Sequence, residues 1–304
     1  MQHPPHPDRE PSSLSIPGLL HLCVVYLVWS STYLAIRVAV RPGAGFEPFS
    51  LAALRCLAAM PILFTWAKLR GHRILPTGSE WWVLAVSGVL LWAGGNACVV
   101  LAEHRIDSAL AALVVSSTPI WVALLETLLE KRWPSPLLFV SLGTGFLGTA
   151  VIAYPRLASG VRADLFSVVA LLVGALTWAS GSLLQRRRPV GLKPSASAAW
   201  QLLFGGLAVT IAALIHGESL PHPTSTAWLG FGFLLIFGSL LSFTSFIQAL
   251  ALLPTRLVFT YAYVNPVLAA LLGFVILDER LSGHTLLGAT LVLLGVAGTF
   301  RAKR

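Results

Sequence analysis

The chain has 304 residues, of which 56% are hydrophobic and only 11% are charged, and its formal net charge is +9. A soluble domain carries roughly a quarter charged residues, so this composition argues against a soluble globular protein and favours an integral membrane protein. The basic residues cluster at the ends of apolar segments instead of along one face, which argues against nucleic-acid binding and indicates membrane topology.

Residues 1–16 form a polar, proline-rich stretch that includes Asp8 and Glu10. A signal peptide would have a basic start and an apolar centre, so we predict a disordered cytoplasmic tail. Its histidines have no fixed geometry, and the cysteines further along have no paired spacing. We therefore predict no metal site and no disulfide, and we interpret the cysteines as small apolar residues: Cys23, Cys56 and Cys98.

Ten apolar segments follow, each about as long as a helix that crosses the hydrocarbon core of a bilayer. The links between them are short and rich in proline, glycine and charge, so they leave no room for a soluble domain. We predict helices over residues 17–40, 48–68, 80–101, 108–130, 136–154, 164–186, 195–215, 226–250, 256–277 and 284–300.

An even number of helices places both termini on one side of the membrane. If that side is the cytoplasm, 14 of the 21 basic residues lie inside and six lie outside, with Arg55 left within a segment. Cytoplasmic loops carry an excess of Lys and Arg, so this distribution predicts that both termini are cytoplasmic.

The second half of the sequence repeats the first. LVWSSTYLAIR (27–37) aligns with LTWASGSLLQR (176–186), and IDSALAALVVSSTPIWVALL (106–125) aligns without a gap with LPTRLVFTYAYVNPVLAALL (253–272). The alignments pair residues of the two halves: Trp29 with Trp178, Arg37 with Arg186, and Pro119 with Pro266, while Gln201 falls near the counterpart of Arg55.

Each repeat therefore holds five helices, and an odd number means that the two repeats enter the membrane from opposite sides. We predict an all-α membrane protein with ten transmembrane helices, arranged as two inverted five-helix repeats over residues 17–155 and 163–301. Inverted repeats with a site at their interface are typical of secondary transporters.

Four strings carry a more specific signal, in this order along the chain: VWSSTYLAIRVAV, LAALRCLAA, SSTPIWVALLE and YVNPVLAALLGFVILDERLSGHTLLGATLVLLGV. With them the chain resembles the drug/metabolite transporter superfamily, in its EamA-like branch of ten-helix proteins. The resemblance covers about residues 17–300. It implies an exporter or importer of small metabolites with a central cavity, and it does not point to any one substrate.

Pro119 and Pro266 lie roughly 15–17 Å into their predicted helices, close to the bilayer midplane. A proline there frees a backbone carbonyl, which needs a polar cavity or a neighbouring helix as its partner. Tyr261 and Asn265 share a helix face beside Pro266, whereas Tyr263 points elsewhere. We predict that both prolines break their helices beside a substrate cavity. The alternative is a kinked helix whose polar groups bond to neighbouring helices.

Other side chains at similar depth are candidates for the cavity wall. Trp29 and Tyr33 share a helix face, although aromatic stripes also serve core packing. Arg55 has apolar flanks, so it either snorkels to the interface or faces the cavity and attracts an anionic group. The predicted substrate cavity is lined by Trp29, Tyr33, Arg55, Asn96, Trp178, Gln248, Tyr261 and Asn265.

Two features have alternative interpretations. Glu126 is the only carboxylate well within a predicted segment, and it either binds a proton or reaches Lys131 or the interface. The glycine-rich fifth and tenth segments allow close approach of helices, either within the chain or in a homodimer.

We expect a secondary transporter in the bacterial cytoplasmic membrane that moves a small metabolite, amino-acid-like or another small organic solute, outward by alternating access. No P-loop is present, so we expect no direct use of ATP and no cofactor. The expected partners are a small-molecule substrate and the lipid bilayer, with no nucleic acid. The alternatives are a non-transporting scaffold or receptor and, less favoured, a membrane-embedded enzyme. Glu103 and His104 are adjacent in a predicted outer loop, so they do not form a catalytic pair in one cavity.

Overall fold

The computed structural model describes residues 15–106, 108–158, 164–277 and 282–302, so the predicted tail lies outside these ranges up to residue 14. Within them the chain forms ten helices that are long and apolar enough to cross a membrane, and no strand. The helices are α1 Ile16–Val40, α2 Pro48–Leu69, α3 Glu80–Glu103, α4 Ser108–Glu130, α5 Pro136–Ala158, α6 Leu165–Arg187, α7 Pro194–Ile215, α8 Ser225–Leu252, α9 Thr255–Leu277 and α10 Gly283–Arg301. The predicted all-α fold is confirmed.

The residues at the helix starts explain where several helices begin. Ser15, Asp164, Thr224 and Ser282 precede α1, α6, α8 and α10, and each side chain accepts a hydrogen bond from a backbone N–H of the first turn. Both α2 and α7 begin with a proline. A backbone N–H at the first helical position would have no partner within the helix, so proline loses no hydrogen bond there. Capping residues and prolines in the links therefore determine where these helices begin.

The contacts between helices follow a twofold pattern. α2 packs on α7, and α5 packs on α10, which pairs equivalent helices of the two repeats. α3 and α4 pack on α6 as α8 and α9 pack on α1. Exchanging each helix with the one five places along the chain maps these contacts onto themselves. Because each repeat crosses the membrane five times, the repeats run in opposite directions, and the predicted inverted arrangement is confirmed.

Glycines bring α5 and α10 into backbone contact at one flank of the molecule. A Cβ atom on Gly148 would lie 2.7 Å from the carbonyl oxygen of Gly288, and one on Gly288 would lie 2.6 Å from that of Gly148. A Cβ atom on Gly295 would lie 2.6 Å from the backbone nitrogen of Gly145. Real side chains do not tolerate such distances, so these glycines serve close helix packing within the chain.

Tyr263 of α9 points to the same flank, away from Tyr261 and Asn265, as its position in the helix predicts. Its hydroxyl donates a hydrogen bond of 3.1 Å to the carbonyl oxygen of Leu142 in α5. The ring is fully buried and lies over Gly145, where a Cβ atom would be 2.8 Å away from it. This contact fixes α9 against α5 and leaves the other face of α9 to the interior.

α3 and α8 each contain a widened segment at equivalent places in the two repeats. Val89–Asn96 of α3 and Leu234–Ser242 of α8 are π-helical, with an ordinary α-helix on either side. A π-helical turn holds an extra residue, is rare in proteins, and frequently occurs at functional sites. The sequence analysis did not predict these segments.

Candidate functional site

A cavity lies between the two repeats, with walls from α1, α2, α3, α4, α6, α8 and α9. Its volume is about 80 Å³. One water molecule needs roughly 10–15 Å³, so the space holds several waters or part of a small solute. Seven of the eight predicted residues line it: Trp29, Tyr33, Arg55, Asn96, Trp178, Tyr261 and Asn265.

Gln248 is the exception among the eight, because it is not part of the cavity wall. It lies two helical turns after Leu241, which is exposed on the lateral surface of α8. The cavity side of this part of α8 is instead occupied by Phe246, which packs on Trp29 and Trp178. Gln248 is half-buried and lies outside the cavity wall, so its predicted position is corrected.

The aromatic wall is built from equivalent residues of the two repeats. Trp29 of α1 and Trp178 of α6 meet edge to face, with ring centroids 5.5 Å apart. Tyr261 of α9 also packs edge to face on Trp29, at 4.8 Å. These contacts hold the rings in defined orientations. They form a rigid apolar surface on one side of the cavity.

Arg55 lies in the cavity wall and does not snorkel, since only 3% of its surface is exposed. Its Nε donates a hydrogen bond of 2.6 Å to Ser239 Oγ, and its guanidinium carbon lies 5.1 Å from the ring centroid of Trp92. Ion pairs in the described part of the chain join Arg73 to Glu80 and Arg187 to Glu130, so no described carboxylate neutralises Arg55. Its remaining N–H groups are available for an anionic partner.

Several polar atoms in the wall are buried and have no hydrogen-bond partner within the described ranges. They include Trp92 Nε1, Asn96 Oδ1 and Asn265 Oδ1. Buried polar atoms are nearly always hydrogen-bonded, because an unmade bond costs about 1–3 kcal/mol. One donor and two acceptors around the same cavity therefore call for a polar occupant.

Gln201, the counterpart of Arg55, does not reach the cavity. Its Nε2 donates hydrogen bonds of 2.7 Å to Ser87 Oγ and 2.8 Å to Gln185 Oε1, within a fully buried network. The two repeats therefore differ in charge at this depth, because only the first places a cation in the wall.

α4 is interrupted just before Pro119, into Ser108–Val115 and Thr118–Glu130. The carbonyl that loses its usual partner because of Pro119 belongs to Val115. The hydroxyl of Thr118 donates to this carbonyl at 2.5 Å. The side chain next to the proline thus replaces the missing backbone donor, and the break needs no water or lipid partner.

α9 is also interrupted, but the break does not lie at Pro266. The first piece ends at Val258, and the second, Tyr261–Leu277, runs through the proline. The turn between them is tightened by a backbone hydrogen bond of 3.1 Å from Tyr263 N–H to the carbonyl of Thr260. A single proline near a helix start removes one backbone bond without ending the helix, so the predicted break at Pro266 is wrong in position.

Two arginines tie helices together at opposite ends of the molecule. Arg37 Nη1 of α1 donates to the carbonyl oxygens of Glu103, at 2.6 Å, and Ile106, at 3.3 Å. Arg186 Nη1 of α6 donates to those of Leu250, at 2.8 Å, and Ala251. Leu250 is the counterpart of Glu103, because each lies three residues before the gap-free alignment begins. We call these the Arg37 latch and the Arg186 latch.

Glu103 does not line the cavity, and sequence analysis placed it in an outer loop because the predicted third helix ended at residue 101. It is the last residue of α3 and is fully buried. The signal was present, since Trp92, Asn96, Val99 and Glu103 follow helical spacing on one face. That face lines the cavity as far as Val99.

Glu126 lies elsewhere, at a much smaller cavity of about 10 Å³ between α4, α5 and α9. Arg256 lines the same cavity. An acid and a base in one small space favour a local structural role over a direct part in the main cavity. In the described ranges, no three His, Cys, Asp or Glu side chains come together as they would in a metal site.

Comparisons with known proteins relate nearly the whole chain to one family of transporters. The sequence profile of the EamA-like transporter family matches residues 16–154 and again residues 165–301, once for each repeat. The "uncharacterized inner membrane transporter YedA" of Escherichia coli (strain K12) is 33% identical over 279 residues, which cover 90% of this chain and 86% of YedA.

Protein PecM of Dickeya dadantii (strain 3937) is 29% identical over 270 residues, or 87% of this chain and 86% of PecM. A solved crystal structure with 24% identity superposes with a TM-score of 0.75 and covers 94% of this chain and 96% of its own. At that identity the crystal structure supports the fold alone.

Proposed function

The chain belongs to the EamA-like transporter family, and on that basis we propose that it is a secondary transporter that moves a small organic solute across the bacterial cytoplasmic membrane by alternating access. The cavity between the repeats carries this proposal. It combines a buried arginine without a described counter-ion, an aromatic wall and polar atoms that lack partners. A solute that enters would satisfy groups that the protein leaves unsatisfied.

The cavity chemistry favours a substrate that carries a carboxylate or another anionic group. Arg55 is held by Ser239 and Trp92, so it presents its charge in a fixed direction. Asn96 and Asn265 offer acceptor oxygens for N–H or O–H groups of the same solute. Amino-acid-like solutes combine these features, and we propose export as the direction.

The contacts between helices suggest which parts move. α3, α4 and α6 form one packed unit, and α1, α8 and α9 form the other. The Arg37 latch joins the two units at one end of the cavity, and the Arg186 latch joins them at the other. Rocking of the units would break one latch while the other stays closed, which would expose the cavity to one side at a time.

For orientation, we propose that both termini are cytoplasmic, because most basic residues then lie inside. The Arg37 latch is then on the external side and the Arg186 latch on the cytoplasmic side. Tags at each terminus should be protected from an impermeant reagent in intact cells and become accessible after permeabilisation. Access to either tag in intact cells would contradict this orientation.

The function is tested by comparing metabolites inside and outside cells that express the wild type, Asn265→Ala or Leu27→Ala. Leu27 is the control, because 64% of its surface is exposed on the outer face of α1. We expect a solute that accumulates outside with the wild type and Leu27→Ala, but not with Asn265→Ala at matched protein level. Identical metabolite profiles for all three, followed by no flux in liposomes, would favour a non-transporting receptor.

Alternating access is tested with a cysteine at Asn265 in a variant that lacks the three native cysteines. A small impermeant thiol reagent should label Asn265→Cys when it is applied to either side of oriented vesicles. The control, Leu27→Cys, faces lipid and should not be labelled from either side. Labelling of Asn265→Cys from one side only would contradict alternating access.

A further inference from the structure

Glu103 continues the cavity face of α3 beyond the cavity itself. Asn96, Val99 and Glu103 lie on that face, and the first two line the cavity. The Glu103 side chain has 0% exposure, so it is sealed from water at the end of the molecule where the Arg37 latch is closed. Opening of the Arg37 latch would therefore expose this buried carboxyl group to water.

The hydrogen bonds around this carboxyl group are incomplete. Oε2 accepts a bond of 3.3 Å from Ser108 Oγ, whereas Oε1 is buried and has no partner within the described residues. Arg37 is close enough to bond to the backbone carbonyl of Glu103, yet the two side chains do not form an ion pair of 4 Å or less. The guanidinium therefore serves the latch and leaves the carboxyl group without a full counter-charge.

The other surroundings of Glu103 are mostly apolar. α1 contributes Tyr33, which lines the cavity, and Arg37. The neighbouring part of α3 packs on apolar residues of α2 and α6, and α4 contributes Ser108. The next charged residues in sequence are engaged elsewhere or lie outside the described residues: His104 contacts the carbonyl of Val40, Arg105 lies over the ring of Phe166, and Asp107 is not described.

The second repeat shows that the latch does not need this carboxyl group. Leu250 occupies the equivalent place, and Arg186 bonds to its backbone carbonyl as Arg37 bonds to that of Glu103. Both latches therefore use only the backbone of this residue. A leucine satisfies the fold at that point, so the glutamate side chain has a different role.

A solute amine is a poor ligand for Glu103 if Arg55 binds the same solute. Arg55 rests on Trp92, which precedes Glu103 by 11 residues, or about 16 Å along α3. A small amino acid cannot span that distance. An ionised carboxylate that is fully buried with one unpaired oxygen is strongly unfavourable, whereas burying a protonated one costs far less. The ligand that fits is a proton.

We propose that Glu103 is a proton-binding site that couples the Arg37 latch to the proton concentration outside. The carboxyl group holds a proton while the latch is closed. When this end opens, water reaches the group, which ionises and passes its proton to the external solution. Closing the latch again requires a proton to bind. This inference deepens the proposed function and rests on its alternating access and on its orientation.

The experiment is pH-difference infrared spectroscopy on the full-length protein in lipid nanodiscs, without any solute. We expect a C=O stretching band of a protonated carboxylic acid at neutral pH that disappears at alkaline pH. Glu103→Gln should remove the band, and Ser108→Ala should shift it, because Ser108 is the hydrogen-bond partner. Glu130→Gln is the control and should leave it unchanged, since Glu130 is ion-paired with Arg187.

Glu103→Leu should fold, because the second repeat has Leu250 at the equivalent position. Like Glu103→Gln, it should lack the band. If Glu103→Gln does not fold, Ser108→Ala keeps the test decisive, because it retains the glutamate. A wild-type spectrum without such a band, or a band that is the same in all variants, would overturn the proposal.

The coupling to the gate is measured with Val99→Cys, which lies one turn inside Glu103, in a variant without native cysteines. Raising the external pH should increase labelling of Val99→Cys from outside, and the increase should be larger when Glu103 is present than in Glu103→Gln. The Glu103→Gln variant corrects for the ionisation of the thiol itself. Equal pH dependence in both would overturn the coupling. Neither measurement needs a substrate, so a failure of the proposed transport would be seen separately, as an absence of solute flux.

Discussion

Arg55 shows how a single residue sets the chemistry of a membrane cavity. A charge within a helix is costly at the bilayer centre, by at least about 2.5 kcal/mol on insertion scales. Here Ser239 and the ring of Trp92 hold the guanidinium, and its other N–H groups remain for a ligand. The cost of burying the charge is therefore offset most fully when an anion is bound.

Replacing Arg55 should affect binding far more than folding. We expect Arg55→Gln to weaken the apparent affinity for an acidic substrate about 10- to 100-fold, because a hydrogen bond to a charged group contributes about 1.5–3 kcal/mol. Arg55→Lys should recover only part of this loss, since an ammonium lacks the planar fork. Flux into liposomes at matched protein content measures it, and equal flux for wild type and Arg55→Gln would show that Arg55 has no role in binding.

Sequence spacing predicted several wall residues well at this scale and failed at others for identifiable reasons. Trp29 and Trp178 were found because the repeat pairs them. Gln248 was misplaced because depth alone was used, and depth does not say which face of a helix a residue occupies. Glu103 was missed because its helix runs two residues past the predicted end. Arg55 was predicted to face the cavity, although its apolar flanks alone would also have allowed it to extend to the membrane interface.

At the scale of elements, the interruptions in α4 and α9 show that equivalent helices solve the same problem differently. In α4 the break precedes Pro119, and Thr118 bonds to the freed carbonyl. In α9 the break falls several residues before Pro266. The sequence indicated correctly that both helices are irregular near the bilayer midplane. A proline, however, marks only where one backbone hydrogen bond is lost. The surrounding contacts decide where the helix ends.

The role of Thr118 can be tested by removing only its hydroxyl. Thr118→Val should lower the free energy of unfolding by about 1–3 kcal/mol, because the carbonyl of Val115 would be left without a partner in a buried place. Thr144→Val is the control, since the hydrogen bond from the Thr144 hydroxyl to the carbonyl of Val140 is exposed. Thermal unfolding in detergent measures both, and similar effects would contradict the special role of Thr118.

The contact between α5 and α10 predicts opposite effects of one substitution at two glycines of the same helix. Gly148→Ala should lower the free energy of unfolding by about 1–3 kcal/mol, because its Cβ would press on the backbone of α10. Gly143→Ala has nothing within 4 Å and should raise it slightly, through higher helix propensity. Denaturant titration of both variants checks this, and equal effects would contradict the close packing.

The π-helical segments of α3 and α8 could not be predicted, because a run of apolar residues looks the same with or without one extra residue in a turn. Their glycines were the available signal. Gly95 of α3 lies against Trp178, and Gly238 of α8 lies against Arg55, so both allow the cavity groups to come close. The π-helical segments thus occur where a glycine packs against a large side chain of another helix.

For the whole molecule, the apolar segments were enough to predict ten helices, and the repeat was enough to predict their inverted arrangement. It did not predict which helices pack across the interface, because apolar faces of similar composition offer many pairings. The latches could not be foreseen either, since an arginine near a helix end usually indicates only topology. Their common geometry at both ends became visible only in the packed structure.

The latches predict opposite shifts when each is removed. Arg37→Gln should increase labelling of Asn265→Cys from the external side, and Arg186→Gln should increase it from the cytoplasmic side. Loss of charged hydrogen bonds of about 1.5–3 kcal/mol would change the population of the open state about tenfold or more. Side-specific labelling in oriented vesicles measures this. If both variants shift labelling in the same direction, the latches do not act as alternate gates.

The difference in charge between the repeats has a consequence for energetics. In a perfectly duplicated chain the state open to one side would be the image of the state open to the other, and the two would have equal free energy. Arg55 and Glu103 both belong to the first repeat, whereas their counterparts, Gln201 and Leu250, are neutral. These groups remove the degeneracy, and each 1.4 kcal/mol of difference shifts the resting population tenfold. On the proposed alternating access, these two ionisable side chains bias the membrane face to which an empty carrier opens.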